Sequence, residues 1–387
     1  MIQIHQLKGL YLEQFGSNPA ILAKSPGRIN IIGEHTDYNL GLVLPAAINK
    51  YIYIAVGKRS DFKIHLYSAD YTETYRAPLA DDPEAAPIWA KYVIGIAQIL
   101  KREHIKLEGF NAYIIGDVPL GAGLSSSAAL TCVTGFALNH LYNLNLSRLE
   151  IAKFGQQTEH ENIGVKCGLM DQFASCMGKK NNLIKLDCQD LSFKYIPADW
   201  SNYEILLLNT NVHHSLASSA YNDRRAACEQ GVAWVKEHHS SIQSLRDISI
   251  EQLERYVKPR SVEIYTKCKF IIQENQRLQD ACISLTMGDF KKLGELMFKA
   301  HWALSKEYEV SCDELDFLIE SAENNHEVIG ARMMGGGFGG CTINIIQKGR
   351  SQPFIQEVAP KFKARFGFEL TPIHVAIADG ASLIQEY

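Results

Sequence analysis

SPGRINIIGEHTDYNLGLVLPAAI, residues 25–48, is the stretch from which the rest of the chain is read. It places Arg28, Asn30, Glu34, His35, Asp37 and Asn39 within twelve positions, between two apolar runs. A solvated loop seldom has apolar residues this dense on both sides, and a core strand seldom carries so many ionisable groups. A strand over Ile29–Ile32 that delivers a polar turn into a cavity resolves both objections. Gly33, without a Cβ, permits the turn. Glu34 and Asp37 are acceptors, which suits a ligand whose hydroxyls donate. His35 has no second histidine at ligand spacing, so it reads as a hydrogen-bonded buried histidine rather than a metal ligand. Arg28, taken alone, reads equally as a structural ion pair.

The totals bound the answer. The chain has 387 residues, 46% hydrophobic and 21% charged, which is ordinary for a globular enzyme and long enough for two domains. A net charge of −4, with no Lys/Arg block, argues against nucleic acid as a partner. Nine cysteines without a CxxC pair argue for reduced thiols in a cytoplasm, against a disulfide framework and against a structural zinc site. The opening MIQIHQLKGLYLEQFG lacks a basic segment followed by an apolar one, so no secretory signal is expected. The longest apolar runs, such as ILLL at 205–208, are too short to span a bilayer, so no membrane is expected as a partner.

Outward from the first stretch, periodicity predicts a helix over 3–16 and neighbouring strands over 51–59 and 62–70, joined by a turn at Ser60 and Asp61. A helix over 89–103 and a strand over 110–119 follow. Ser147 with Glu150 forms a capping box for the next helix, which runs to about Glu159 or Glu161, and Leu146 with Ile151 completes a hydrophobic staple. A strand is expected at Asn182–Leu186 and a domain boundary near 197–202, which divides the chain into 1–200 and 201–387. Beyond it lie a buried strand at YEILLLNT, a helix at SSAYNDRRAACEQGVAWVKEH, a mostly helical stretch over 241–328 with no catalytic spacing, a helix over about 353–366 and a late strand at HVAIAD. Alternating segments in two parts make the class α+β.

Three further motifs carry chemistry. VPLGAGLSSSAAL, residues 118–130, runs strand, glycine loop, hydroxyl residues, helix. Backbone N–H groups of Gly121, Ala122, Gly123, Leu124, Ser125 and Ser126 can point at phosphate oxygens, a helix N-terminus adds partial positive charge, and one serine hydroxyl can ligate Mg²⁺. No Gly-Lys-Ser/Thr occurs, so this is not a Walker A loop. A serine-capped helix after a tight turn has the same pattern. GLMDQFAS sets Asp171 among apolar residues, where an aspartate either caps a helix or is held for chemistry; Glu159 ends a helix, as a solvated carboxylate or a metal ligand. GGGFGG, residues 335–340, precedes the strand CTINII and serves either close approach by a ligand or backbone, or a permissive turn.

These motifs carry a resemblance. GRINIIGEHTDYNLGLVLPAAI resembles the galactokinase signature, VPLGAGLSSSAAL the phosphate loop of the GHMP kinase superfamily, and GGGFGG that superfamily's third motif. They occur in the family's order over residues 25–341. Ser25 stands where alanine is usual and Ala122 where glycine is often found, and neither departure removes a functional group. The resemblance implies an N-terminal α/β domain and a C-terminal α+β domain with the active site in the cleft between them. It implies transfer of phosphate from MgATP to the anomeric hydroxyl of galactose, the entry to the Leloir pathway, by a cytoplasmic monomer. It further implies Asp171 as the catalytic aspartate with Arg28 beside it, and Glu34, His35, Asp37, Gly168 and Tyr221 around the sugar. Ser127 and Glu159 then fall near Mg²⁺, the 121–127 loop around ATP, and Trp89 in the adenine pocket. Two relatives of the family set alternatives: an N-acetylgalactosamine kinase, and a galactose-responsive regulator without activity, against which the intact SSSAAL and Asp171 argue.

Overall fold

A computed structural model describes residues 4–103, 107–119, 121–213 and 217–384. In chain order the first elements are α1 (Ile4–Phe15), β1 (Ile21–Asn30), β2 (Leu42–Val43), β3 (Pro45–Arg59), β4 (Lys63–Ser68), β5 (Glu73–Pro78), α2 (Ile88–Glu103), β6 (Gly109–Gly116), α3 (Ser126–Tyr142), α4 (Arg148–Thr158), α5 (Met170–Met177), β7 (Asn182–Asp187) and β8 (Phe193–Pro197). There follow β9 (Tyr203–His213), α6 (Ala217–Lys236), α7 (Ile250–Tyr256), α8 (Val262–Thr286), α9 (Phe290–Ala303), α10 (Asp313–Glu323), β10 (Val328–Met333), β11 (Gly339–Gln347), α11 (Ser351–Phe366), β12 (Thr371–Val375) and β13 (Ser382–Leu383).

Two sheets carry the fold. The first has the order β13-β1-β3-β6-β4-β5, the second β10-β11-β9-β12, and β2, β7 and β8 form a small third. The closing strand β13 pairs with β1, so the end of the chain returns to the first sheet. β3, between β1 and β6, is buried along almost its whole length, whereas the edge strand β5 is mostly exposed. One face of the first sheet packs on α1 through Leu7, Tyr11, Tyr53 and Tyr113. A single apolar core joins the first sheet and its helices to the second sheet, with Ile29, Val133 and Phe173 continuous with Leu207, Ile343 and Ile345.

The strands expected over 51–59 and 62–70 exist but are not neighbours. β6 lies between β3 and β4, antiparallel to the first and parallel to the second. A short connection suggested a hairpin, yet the chain crosses the start of β6 instead. Gly109 allows this, because a Cβ there would sit 2.3 Å from the Lys63 carbonyl oxygen. The first-motif strand runs over Ile21–Asn30 rather than Ile29–Ile32, and the late strand ends at Val375 instead of extending through HVAIAD. β6 stops at Gly116, before Pro119. The capping box at Ser147 and Glu150 is present, and α3 begins inside the serine run as expected. Met1–Gln3 and Leu120 lie outside the described residues. Among the described residues no helix is long and apolar enough to cross a membrane.

Candidate active site

The site begins where β1 ends. Ser25 to Asn30 are all buried, and after Asn30 the chain bends through Gly33 into a short 3₁₀ turn, Asp37–Asn39. The turn ties itself together: Thr36 Oγ1 donates to the Gly33 carbonyl (2.9 Å), and Asn39 Nδ2 donates to the His35 carbonyl (2.9 Å). Glu34, His35 and Asp37 then face a cavity of about 460 Å³, together with Arg28, Glu159, Cys167, Gly168, Asp171, Tyr221, Asn222, Gly335 and Gly336.

Arg28 is the junction. Its Nε and Nη2 donate to Oδ1 and Oδ2 of Asp171, at 2.8 and 2.9 Å, and Nη1 donates to the Gly123 carbonyl. Ser125, whose backbone is left-handed (φ 57°), donates its hydroxyl to Asp171 Oδ2. Asp171 lies in the first turn of α5 but does not cap it; its carboxylate is held by a side chain of the first motif and one of the serine loop. A bidentate guanidinium fixes the plane of the carboxylate as well as its charge.

The serine loop opens on a second, smaller cavity of about 240 Å³. It is lined by Gly121, Ser126, Ser127, Tyr71, Trp89 and Tyr92, with Ser68, Asp70 and apolar residues completing the wall. Trp89 is fixed from outside, donating its indole N–H to Glu73 Oε2 at 2.6 Å, and the Tyr71 ring lies nearly parallel to it. Ala122 and Leu124 point their side chains into the core, so they offer only backbone; the Leu124 carbonyl is already taken by the Arg28 N–H at 3.1 Å.

The sequence-identified residues thus divide between two adjoining cavities. Arg28, Glu34, His35, Asp37, Glu159, Gly168, Asp171 and Tyr221 line the larger; Gly121, Ser126, Ser127 and Trp89 the smaller; Gly123 and Ser125 bond to Arg28 and Asp171 between them. Glu34 is less free than expected. Its Oε1 accepts from Arg332 Nη2 (3.0 Å) and from the Gly335 N–H (2.8 Å), which ties the first motif to the third.

Charge in the larger cavity is unbalanced. Burial, then the neighbouring Asp171 charge, push both Asp37 and Glu159 up to about 7. Four carboxylates, Glu34, Asp37, Glu159 and Asp171, line it with one arginine, Arg28. Glu159 accepts from Gln172 Nε2 (3.0 Å), and with Ser127 it forms an oxygen donor pair suited to a hard cation. Among the described residues no group of three or more His, Cys, Asp and Glu side chains is placed to hold a metal. Burial lowers His35 to about 4, so it is neutral at pH 7; its Nδ1 meets Tyr38 Oη at 2.8 Å, and Tyr38 Oη meets Tyr308 Oη at 2.9 Å.

Several residues escaped the sequence reading. Tyr38, Cys167 and Asn222 adjoin identified residues, so sequence proximity was a usable signal. Arg332 stands three residues before the glycine run. Glu274, Asn275 and Tyr308 come from the stretch read as helical packing alone, and nothing local marks them.

Comparison with known proteins extends this picture. Residues 9–58 match the galactokinase galactose-binding signature, 91–179 the GHMP kinases N terminal domain, and 278–364 the GHMP kinases C terminal domain. The chain is 37% identical to a galactokinase of Thermotoga petrophila over 361 residues, covering 93% of this chain and 99% of that one. The chain belongs to the galactokinase family. A galactokinase of Limosilactobacillus fermentum is 39% identical over 96% of this chain and 97% of its own. The crystal structure of Lactococcus lactis galactokinase complexed with galactose superposes with a TM-score of 0.92 at 34% identity, covering 98% of this chain and all of that one. Mevalonate kinase of Methanococcus jannaschii, at 17% identity and a TM-score of 0.68, shares the fold of this galactokinase family member. The architecture is therefore the two-part α+β fold of the GHMP kinases.

Proposed function

We propose that this chain transfers the γ-phosphoryl group of ATP to the anomeric hydroxyl of galactose, giving galactose 1-phosphate and ADP. The observation that carries the reading is the Asp171 carboxylate, gripped by Arg28 and Ser125 where a cavity lined by acceptors meets a serine-rich loop at a helix N-terminus. Phosphoryl transfer asks for positioning and charge neutralisation more than covalent chemistry.

In this reading Asp37 and Glu34 accept hydrogen bonds from the sugar hydroxyls, His35 and Tyr221 wall its other side, and Gly168 leaves room for Asp37. Asp171 orients the anomeric hydroxyl and takes its proton as the sugar oxygen bonds to phosphorus and the bond to the ADP oxygen breaks. Arg28 holds Asp171 in place and stabilises the developing alkoxide. Gly121 to Ser127 offer backbone N–H groups and hydroxyls to the phosphates, and Trp89 with Tyr71 flanks the base. The residues present fit Mg²⁺. Glu159 is a carboxylate raised by burial and then by its acidic neighbour Asp171, without a cationic partner among the described residues, and it stands beside Ser127. Mg²⁺ commonly binds one or two carboxylates plus substrate phosphates. When bound it would neutralise charge on the β- and γ-phosphate oxygens. Residues 1–200 would supply most of the cavity walls and 201–387 the third motif, with a monomer in the cytoplasm as the working form.

ADP release measured with galactose, N-acetylgalactosamine, glucose and mevalonate side by side tests the proposal. Galactose is expected to be the best acceptor. Asp171→Asn is expected to lower kcat by roughly 10²- to 10⁴-fold with the fold intact. Faster turnover of N-acetylgalactosamine, or tight galactose binding without ADP release, overturns it; near wild-type turnover of Asp171→Asn removes the base assignment.

A further inference from the structure

Away from the site just described, a cavity of about 320 Å³ lies between the β7–β8 ribbon, α8 and the Leu245–Asp247 turn. Lys185, Asp187, Ser192, Lys194, Arg246 and Gln279 contribute its polar wall. Lys185 and Lys194 are direct cross-strand partners, so their side chains leave the ribbon on the same face. Like charges directly opposite each other destabilise a strand pair. Neither lysine forms an ion pair among the described residues, whereas Arg246 spends its charge on Asp187. Asp190, in the β7–β8 turn, is fully exposed and its charge acts on Arg246 rather than on the lysines. Three cations against the one carboxylate in the wall leave two positive charges facing one concave space. Lysine is a point-charge binder of phosphate, and serine and glutamine add hydrogen bonds.

We propose that this cavity is an anion site for a dianionic phosphate, free or as a phosphate monoester. The site is wired to the sugar-binding turn. Arg246 Nη1 also donates to the Leu40 carbonyl at 3.0 Å, and Leu40 closes the 3₁₀ turn that holds Asp37. β7 pairs with β2 at Leu42 and Val43, and the Cys188 N–H donates to the Gly41 carbonyl at 2.9 Å. An anion drawing Arg246 toward the lysines loosens its hold on Leu40 and lowers sugar affinity without touching the reacting groups. That a phosphorylated product also fits the site rests on the proposed function; binding of inorganic phosphate does not.

The test is ³¹P NMR titration of the full chain with its main cleft saturated by galactose and a non-hydrolysable ATP analogue. Inorganic phosphate and galactose 1-phosphate are the two probes. The wild-type chain is expected to bind one phosphate, and Lys185→Met with Lys194→Met to bind it roughly tenfold more weakly. Lys185→Arg with Lys194→Arg is expected to keep binding, which separates charge from folding. Binding of inorganic phosphate alone identifies the free anion as the occupant, and binding of both identifies the monoester class. A second readout is the galactose KM, which rises with added phosphate in the wild type and stays flat in the double Met variant, with kcat unchanged in both. No binding to the saturated wild-type chain, or equal binding by the double Met variant, overturns the proposal.

Discussion

Asp37 shows how much of the site's chemistry one residue can hold. Its ordinary value is 3.8, and burial with the Asp171 charge raises it to about 7. The folded protein therefore binds a proton that the unfolded chain releases between those values. The empty protein loses stability as pH rises from about 4 to about 7, and the loss is complete above the folded value. Asp37→Asn is expected to be more stable than wild type at pH 8, by on the order of 1–2 kcal/mol, because the cavity is open to water and screens part of the shift. Thermal unfolding at pH 4 and pH 8 checks this: the two proteins converge at the lower pH. Catalysis moves the other way. A sugar hydroxyl donates best to a charged carboxylate, so the galactose KM falls as pH rises through about 7, and Asp37→Asn abolishes that dependence while raising KM throughout. Glu159 titrates in the same range, but it faces Ser127, so its effect belongs to the nucleotide KM. Gly168 sets the place of Asp37. A Cβ there would lie 2.0 Å from Asp37 Oδ2. Gly168→Ala is expected to raise the galactose KM by about tenfold or more while leaving the ATP KM near wild type, since the overlap is with a sugar-side carboxylate. Equal changes in both would mean a general collapse. The acceptor character of Asp37 was legible in the sequence, from its type and its company. Its dependence on Gly168 was not, since no local pattern reports an overlap between residues 131 positions apart.

At the scale of elements, two π-helical segments bear on the cavity, one in its wall and one behind it. Glu159–Ile163 ends α4 and contributes Glu159 and Ile163 to the wall; Leu304–Tyr308 ends α9 and brings Tyr308 to Tyr38. An extra residue in a turn re-aims the side chains after it, which is why such segments gather at sites. Neither was legible in the sequence, because one inserted residue at a helix end shifts the apolar phase over a single turn, too short a stretch to register as a change of period. α8 is the plainer case. Glu274 Oε1 accepts from the Gly33 N–H at 2.9 Å, and Asn275 Oδ1 accepts from the Leu42 N–H at 2.7 Å. Consecutive residues of one helix thus satisfy a backbone donor on each flank of the polar turn. Asn275→Ala leaves the Leu42 N–H without its acceptor, at a cost of about 1–3 kcal/mol. A several-fold rise in the galactose KM is expected, with the ATP KM unchanged, and both are read from initial rates beside a thermal unfolding curve. An unchanged galactose KM in a destabilised protein would make the contact purely structural. Elements declared by local chemistry, such as α4 with its capping box, were legible; the crossing of β3 to β4 over β6 was not, since strand order depends on partners more than 40 residues away.

For the molecule as a whole, the question is what makes two sheets one catalytic body. The fold class could be read because the three motifs come in order and each sits at an element boundary, but which groups join the halves could not, because they are buried and distant in sequence. Arg332 is the clearest of them. It lies on β10 with none of its surface exposed, and it reaches across to the first motif. Its Nε donates to the Ile31 carbonyl at 2.7 Å, Nη2 to the Asn30 carbonyl and to Glu34, and Nη1 to the Met333 carbonyl. Removing it strands a buried carboxylate and leaves two carbonyls of the sugar-binding strand and turn without partners. Arg332→Met is therefore expected to cost about 3–5 kcal/mol. Adding Glu34→Gln should recover part of that loss, because the stranded charge disappears, so the double variant is more stable than Arg332→Met alone. Since the apolar core runs unbroken from Ile29 to Ile345, calorimetry of each variant is expected to give one unfolding transition, shifted down in temperature. Two separated transitions would mean that the halves are independent, and that Arg332 holds the first motif without holding the molecule together.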